Sequence, residues 1–132
     1  MNVNERGVKG LIKVIDDLQE KGYYTFIAFD DHSPIDLVAV DKNGRTFKLQ
    51  VKFRSLDKSK EVQRYALPAS SVVNRKRTHI DKSLLDGWAV FLKEHKKVVY
   101  ISKKEFGDKV HFTIDPNKDY GELSEWSIVE IC

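Results

Sequence analysis

Three polar residues in two short apolar runs have the types and spacing that could do metal-assisted chemistry on a phosphate. Asp36 opens the run that ends at Val40, and Gln50 and Lys52 stand two residues apart in the next run. A carboxylate and an amide oxygen suit a hard divalent cation such as Mg²⁺. A lysine can orient or deprotonate a water, or neutralise charge on a phosphate. An ordinary half-solvated hairpin with polar residues on its outside is expected to show the same pattern.

A β-hairpin is predicted to bring these residues together. The Asn-Gly pair at 43–44 favours a two-residue type I′ turn, because both residue types tolerate a positive φ. The second run alternates apolar and polar residues, so Gln50 and Lys52 share its polar face. Pairing about this turn would place Asp36 opposite Val51. A one-residue slip or a bulge would instead turn Asp36 towards Gln50 and Lys52.

The chain resembles the PD-(D/E)XK nuclease superfamily at these residues. Pro34–Asp36 followed by Gln50–Lys52 is similar to that signature in its Gln-X-Lys version. This version is familiar from a branch similar to the cyanobacterial group I intron homing endonucleases and related small bacterial nucleases. Further along, Asp86–Val90 and Val99–Ile101 resemble the two strands that follow the motif. The resemblance covers about residues 5–106.

The resemblance implies a metal-dependent endonuclease that hydrolyses phosphodiester bonds in nucleic acid, DNA rather than RNA. Asp36 would bind Mg²⁺ or Mn²⁺ with the Gln50 side chain and the Val51 carbonyl, and Lys52 would position the attacking water or stabilise the phosphate. Five basic residues would hold the nucleic-acid backbone: Arg54, Lys58, Arg75, Lys76 and Arg77. Assembly as a symmetric homo-oligomer is also expected.

The sequence departs from this family pattern in two places, and other functions stay open. The helix Glu usual in such nucleases stands about eleven residues before the position of Gly22, where this chain has Leu11. Gln50 replaces the usual acidic residue, so Asp36 is the one firm anionic ligand. One alternative is a nucleic-acid-binding module without catalysis on the same fold. Another is a protein-interaction domain, such as an immunity or regulatory protein.

Charge is distributed unevenly along the chain and favours a nucleic-acid partner. Residues 1–41 hold 4 basic and 8 acidic side chains, whereas residues 42–104 hold 17 and 5. Residues 105–132 hold 2 basic and 7 acidic side chains. The basic block includes the second half of the motif, which is what binding to a phosphate backbone requires. A lysine-rich solvated surface is the other explanation.

Length and composition predict one α+β (α/β) domain spanning residues 1–132. The 132 residues are 41% hydrophobic and 33% charged, and no apolar run approaches the roughly 20 residues of a membrane span. The single Cys132 and the absence of an apolar signal stretch at 1–6 indicate a cytoplasmic protein without membrane contact. The resemblance adds a restriction-endonuclease-like core, with a central mixed β-sheet flanked by helices.

The remaining elements follow from periodicity and capping. Residues 5–21 are predicted to form a helix capped by Asn4 and Gly22. Its buried face would consist of Val8, Leu11, Ile12, Ile15 and Leu18. Strands are predicted at 23–29, 62–68, 87–92, 98–101 and 109–114, with short helical turns at 81–86 and after Ser102. Residues 74–79 are interpreted as a basic loop that clamps phosphates or as an exposed turn. His32 is interpreted as a solvent-exposed turn residue.

Overall fold

A computed structural model describes the backbone of residues 3–30, 33–57, 59–73, 76–79 and 82–126. It describes the side chains of residues 4–30, 33–57, 59–69 and 82–126. The chain begins with helix α1 (Val3–Glu20), which starts before Asn4, so the predicted Asn4 cap is wrong. The predicted end at Gly22 is confirmed, because Gly22 has φ of 90° and the amide of Tyr23 donates to the Leu18 carbonyl.

A five-stranded mixed sheet in the order β1-β2-β3-β7-β8 forms the centre of the fold. Its strands are β1 (Tyr24–Ile27), β2 (Leu37–Val40), β3 (Thr46–Arg54), β7 (Gly87–Leu92) and β8 (Lys97–Ser102). β3 and β7 run parallel, and every other neighbouring pair is antiparallel. The predicted α+β class with one mixed sheet is therefore confirmed.

The smaller elements flank this sheet. They are β4 (Tyr65–Pro68), β5 (Ser70–Val73), β6 (Lys76–His79), α2 (Lys103–Phe106) and β9 (His111–Ile114), with 3₁₀ turns at Lys82–Leu84 and Leu123–Glu125. β4 pairs with β9, and β5 pairs with β6. The loop interpretation of residues 74–79 is wrong where they are described, because Lys76–His79 pairs with Ser70–Val73 as a two-stranded ribbon. His32 lies outside the described residues.

Apolar side chains fill both sides of the sheet. β7 is buried along its whole length, as its uninterrupted apolar sequence predicts. One core lies between α1 and the sheet and includes Val14, Leu18, Leu37, Phe47, Leu49 and Tyr100. The other lies under β4, β9 and α2 and includes Tyr65, Leu67, Trp88, Val90, Ile101, Phe106 and Ile114. None of the described helices is long and apolar enough to cross a membrane.

The first half of α1 lies beyond the core that the second half covers. Val8 and Ile12 are exposed, so their predicted burial is wrong, whereas Leu18 is buried as predicted. Gly10 lets this half approach β3, because a Cβ there would lie 3.1 Å from the Cβ of Phe53. A Cβ at Gly7 would meet nothing within 4 Å. The helix therefore leaves open space at its start, close to the motif.

The turn between β2 and β3 differs from the predicted type I′ turn. The Asp41 amide donates to the Arg45 carbonyl, so residues 42–44 form a three-residue loop. The Asp41 carboxylate accepts hydrogen bonds from the amides of Asn43 and Arg45, both at 2.9 Å. Gly44 has φ of 83° whereas Asn43 keeps a negative φ, as in a type I turn followed by a left-handed glycine.

The longer turn shifts the strand register by one residue. Leu37 pairs with Leu49, and the Asp36 amide also donates to the Leu49 carbonyl, so two residues of this segment stand opposite one residue of β3, as in a β-bulge. The predicted regular pairing of Asp36 with Val51 is therefore wrong, and the alternative of a bulge is closer to what the chain adopts, although the Asp36 carboxylate accepts the Val51 amide and Gln50 is bound by Trp88 instead. The shift costs no apolar burial, because Leu37 and Leu49 still face the core under α1.

Candidate active site

The backbone at Asp36 leaves the regular ladder between β2 and β3. Its amide donates to the Leu49 carbonyl on one side, and its carbonyl accepts from the Ala28 amide on the other. The Asp36 carboxylate then takes the place of a backbone acceptor, since its Oδ2 accepts the Val51 amide at 2.8 Å. One carboxylate oxygen is therefore fixed against β3 in the middle of the motif.

The charge of Asp36 is poorly solvated. Burial raises the pKa of Asp36 above its ordinary value, although the hydrogen bond from the Val51 amide and the charge of Lys52 act in the opposite direction. Lys52 is itself half-buried. Asp36 and Lys52 therefore lie within electrostatic reach of each other, as the motif requires. A cation that approaches Asp36 would therefore stabilise the charged form of its carboxylate.

Gln50 has a different environment. Its side chain is only 5% exposed, and its Oε1 accepts a hydrogen bond from Nε1 of Trp88 at 3.1 Å. Gln50 and Trp88 are register partners in the parallel β3–β7 pair. Trp88 stacks on Phe106 with ring centroids 4.4 Å apart, deep in the core under α2. The Gln50 amide is therefore held by the core at the point where the motif places it.

A cavity of about 610 Å³ opens beside Asp36 and Val51. The first half of α1 and the end of β1 form its other walls. Its lining consists of Asn4, Gly7, Val8, Leu11, Ile27, Ala28, Asp30, Asp36 and Val51. Leu11, which stands where related nucleases carry a Glu, thus reaches the site region but contributes an apolar side chain.

The donor set in this cavity fits a hard cation that keeps part of its water shell. No group of three or more His, Cys, Asp or Glu side chains able to hold a metal occurs in the part of the chain that the structure describes. Asp36 and Asp30 both line the cavity, with the Asn4 amide across it. Mg²⁺ is commonly bound by one or two carboxylates together with waters and substrate phosphates. The residues present are therefore compatible with Mg²⁺ or Mn²⁺, and the low number of anions indicates weak binding.

Of the predicted nucleic-acid contacts, the one whose side chain the structure describes, Arg54, does not line this cavity. Arg54 ends β3, is half-buried, and its carbonyl accepts the Lys93 amide. The backbone of Lys76 and Arg77 belongs to β6. Lys58 and Arg75 lie outside the described residues.

Two participants in the site, Trp88 and Gly7, were not predicted from the sequence, and a third, Asp30, was weighed there only as a possible extra carboxylate. Trp88 orients Gln50, Asp30 adds a second carboxylate to the cavity, and Gly7 leaves space in its wall. The signal for Trp88 was available, since a buried indole N–H needs an acceptor and apolar β7 offers no side-chain acceptor. Asp30 could supply an extra carboxylate by its position before the motif, but ordinary turn chemistry explains an aspartate there equally well.

Comparison with known proteins agrees with this geometry. A bacterial homing endonuclease, I-Ssp6803I, has a similar structure, with a TM-score of 0.67 over 87% of this chain and 79% of that chain at 16% identity. That similarity confirms the restriction-endonuclease-like fold. No curated protein sequence matches the chain. The PD-(D/E)XK endonuclease family matches residues 1–124, which include Asp36 just before β2 and Lys52 on β3, and the chain therefore belongs to this family.

Proposed function

We propose that this protein is a metal-dependent endonuclease that hydrolyses phosphodiester bonds in nucleic acid, DNA rather than RNA. The observation that carries the proposal is that Asp36, which lines a cavity, lies within electrostatic reach of Lys52. Asp36 is held by the Val51 amide and senses the charge of Lys52. Family membership supports the reaction class, and the basic block at residues 42–104 supports the polyanionic substrate.

Asp36 would hold Mg²⁺ or Mn²⁺ with the Val51 carbonyl and with Asp30 across the cavity. The bound ion would supply a Lewis acid for the phosphate and would lower the pKa of a coordinated water. Gln50 would contribute its second oxygen lone pair or, held by Trp88, would fix the backbone of β3 beside Asp36. The raised pKa of Asp36 is consistent with a carboxylate that is stabilised when a cation approaches.

Lys52 would act on the phosphate or on the attacking water. Its ammonium group extends from the same strand as Val51, two residues after Gln50. In a partly water-excluded site, such a charge stabilises the negative charge that develops on a phosphate in the transition state. Lys52 would also orient the water that attacks phosphorus.

The nucleic acid would be held along the basic block. The β5–β6 ribbon carries Lys76 and Arg77, and a two-stranded ribbon has dimensions that the DNA major groove admits. Arg54, Lys58 and Arg75 would add phosphate contacts. We infer a cytoplasmic protein that acts on its substrate as a homo-oligomer.

A plasmid-nicking and single-strand cleavage assay with Mg²⁺ or Mn²⁺ tests this function. Asp36→Ala and Lys52→Ala should abolish cleavage, and a chelator should do the same to the wild type. Lys109→Ala is the control, because Lys109 is exposed and lies outside the basic block. Full activity in both Asp36→Ala and Lys52→Ala would reject the assignment.

A binding module without catalysis is the second candidate function. Two observations favour it: the Gln50 oxygen is engaged by Trp88, and apolar Leu11 stands where related nucleases carry a Glu. This candidate predicts nucleic-acid binding without strand scission. Binding should weaken with salt, with a log-log slope of about −0.9 per phosphate contact on duplex DNA.

A further inference from the structure

The outer edge of β1 has no strand beside it among the described residues, although the sheet there is apolar. Tyr24 is 62% exposed and Phe26 is 58% exposed, and Phe29 just beyond the strand is fully exposed. Ile27 is exposed as well. Natural edge strands are normally protected by lysine, proline, a bulge or a covering segment. The sequence of β1, Tyr-Thr-Phe-Ile, carries none of the protecting residue types.

The other edge of the sheet is protected. β8 lies next to the segment 117–122, which lines a shared pocket with residues 97–100. Lys97 donates a hydrogen bond from its ammonium group to the Pro116 carbonyl, and Lys21 bridges Asp17 and Glu122. The chain therefore covers one edge with its own C-terminal segment and leaves the other bare. The bare edge also carries most of the exposed aromatic side chains.

The hydrogen-bonding direction along β1 is fixed by its pairing with β2. The Ala28 amide donates to the Asp36 carbonyl, so Ala28 bonds inward, and Phe26 and Tyr24 follow it by alternation. The amides and carbonyls of Thr25 and Ile27 therefore point to the open edge. Thr25 and Ile27, on either side of Phe26, each present one amide donor and one carbonyl acceptor outward. A second β1 strand that runs in the opposite direction presents the matching acceptors and donors.

We propose that a second copy of this chain pairs with β1 through an antiparallel β1–β1 contact on a two-fold axis. Thr25 of each copy pairs with Ile27 of the other, and the two Phe26 side chains meet at the axis. Phe26 would then form a non-hydrogen-bonded pair with its symmetry mate, with Cα atoms about 4.5 Å apart. The two central sheets would become one continuous sheet.

Surface area and charge both favour a second copy over nucleic acid at this edge. At 150–250 Å² per aromatic side chain, the three exposed rings offer about 450 Å² per copy, so two copies bring roughly 900 Å² together. Ile27 and the strand backbone bring the contact towards the ~1,200–2,000 Å² of stable interfaces. Residues 1–41, which contain β1, hold twice as many acidic as basic side chains, which disfavours a phosphate backbone here.

This contact would also border the candidate active site. Ile27 lines the cavity that contains Asp36, so the partner strand would lie beside that cavity. From the strand spacing, the two Asp36 carboxylates would lie roughly 20 Å apart across the axis. The interface itself is independent of the proposed nuclease activity, whereas a role in cutting two strands rests on that function.

Sedimentation equilibrium of the full chain tests the interface without reference to cleavage. The wild type should show about twice the 15.3 kDa mass of one chain at micromolar concentrations. Phe26→Lys places like charges at the axis and should give a monomer. Thr25→Pro removes an outward amide that β2 does not use, and should do the same. Val62→Lys is the matched control, because Val62 is also 62% exposed but lies outside β1, and should stay dimeric.

Disulfide cross-linking tests the register. In a Cys132→Ser background, Phe26→Cys should form an intermolecular disulfide on mild oxidation, since its Cα separation across the axis lies within the disulfide range. Tyr24→Cys should not, because Tyr24 would lie opposite Ala28 of the other copy. A monomeric wild type, a dimer that survives Phe26→Lys, or equal cross-linking at both positions would overturn the proposal. Circular dichroism of each variant confirms that the chain is folded.

Discussion

Asp36 and Gln50 belong to the same motif, one just before β2 and the other on β3, yet they have opposite environments. Asp36 lines an open cavity, and burial raises the pKa of its carboxyl above the usual value. Gln50 is closed off in the core, where Trp88 holds its oxygen. One member of the motif carries a charge that the fold solvates poorly, and the other has its polar group fully accommodated. Two polar residues of one motif can thus have opposite effects on the free energy of unfolding.

This contrast explains how a carboxylate can be replaced by an amide at the second motif position. A Glu at position 50 would bury a negative charge in the core beside Trp88, which costs more than burying an amide. Gln50 satisfies the Trp88 N–H without that cost. The replacement leaves fewer anions to hold a cation. Stability of the core and affinity for a metal are therefore opposed at this position.

The largest expected effect is the loss of cleavage in Asp36→Asn. Asparagine keeps an oxygen for the Val51 amide but removes the negative charge that would hold the cation. The activity should fall by about 10³-fold or more, equivalent to losing several kcal/mol of transition-state stabilisation. Asp16→Asn, at an exposed position of α1, is the control and should cleave normally. Steady-state nicking rates measure both.

The same substitution should stabilise the protein at neutral pH. Folding raises the pKa of the Asp36 carboxyl, so the protonated form favours the folded state. Its contribution to the free energy of unfolding is complete below the pKa of the unfolded chain, about 3.9, and is lost as the pH rises through the pKa of the folded protein. The melting temperature of Asp36→Asn should therefore exceed that of the wild type at pH 7, and the difference should shrink on acidification towards pH 4. A difference that grows on acidification would contradict this account of Asp36.

The second-largest effect is expected at Gln50, the buried residue of the two. Gln50→Leu leaves the indole N–H of Trp88 without an acceptor and should reduce the free energy of unfolding by about 1–3 kcal/mol. Gln50→Glu keeps an acceptor oxygen and separates the loss of the hydrogen bond from the effect of charge. A double-mutant cycle with Trp88→Phe should give a coupling of about 0.5–3 kcal/mol. Urea denaturation measures each corner, and zero coupling would show that the hydrogen bond contributes nothing.

Much of this fold was predictable because the signals were local. The uninterrupted apolar run at 87–92 predicts a strand buried on both faces, and Ser102 caps α2 through the Glu105 amide as its spacing predicts. The electrostatic proximity of Asp36 and Lys52 was expected from the family motif. Each of these depends on neighbours in sequence or on a pattern with a fixed period.

The errors came from contacts that the sequence does not encode locally. Val8 and Ile12 continue the apolar stripe of α1, but the sheet does not extend beneath them. The turn was misassigned because a carboxylate, Asp41, captures two amides and stabilises a longer loop than Asn-Gly alone would form. The partner of Gln50 lies 38 residues away on β7, so only the folded sheet identifies it.

A smaller effect is expected at the turn between β2 and β3, which sets the register of the motif strands. Asp41→Ala removes the acceptor of two loop amides and should reduce the free energy of unfolding by about 1 kcal/mol. Asp41→Asn keeps an oxygen in the same place and should be nearly neutral. If the turn also maintains the register, Asp41→Ala should reduce cleavage more than its stability loss explains. Equal stability of the two variants would mean that the turn does not depend on this carboxylate.

The smallest effect tests whether the cavity accepts a further anion from α1. Gly7→Glu has open space for its side chain and replaces a helical glycine, so it should add about 0.5–1 kcal/mol to the free energy of unfolding. Gly7→Gln gives the same gain in helix propensity without the charge. The thermal stabilisation by Mn²⁺ should therefore be larger for Gly7→Glu than for Gly7→Gln. Leu11→Glu should lose stability instead, because Leu11 packs against the core. Equal stabilisation of Gly7→Glu and Gly7→Gln by Mn²⁺ would mean that this wall of the cavity does not face the cation, and that Asp36 binds it from the β3 side alone.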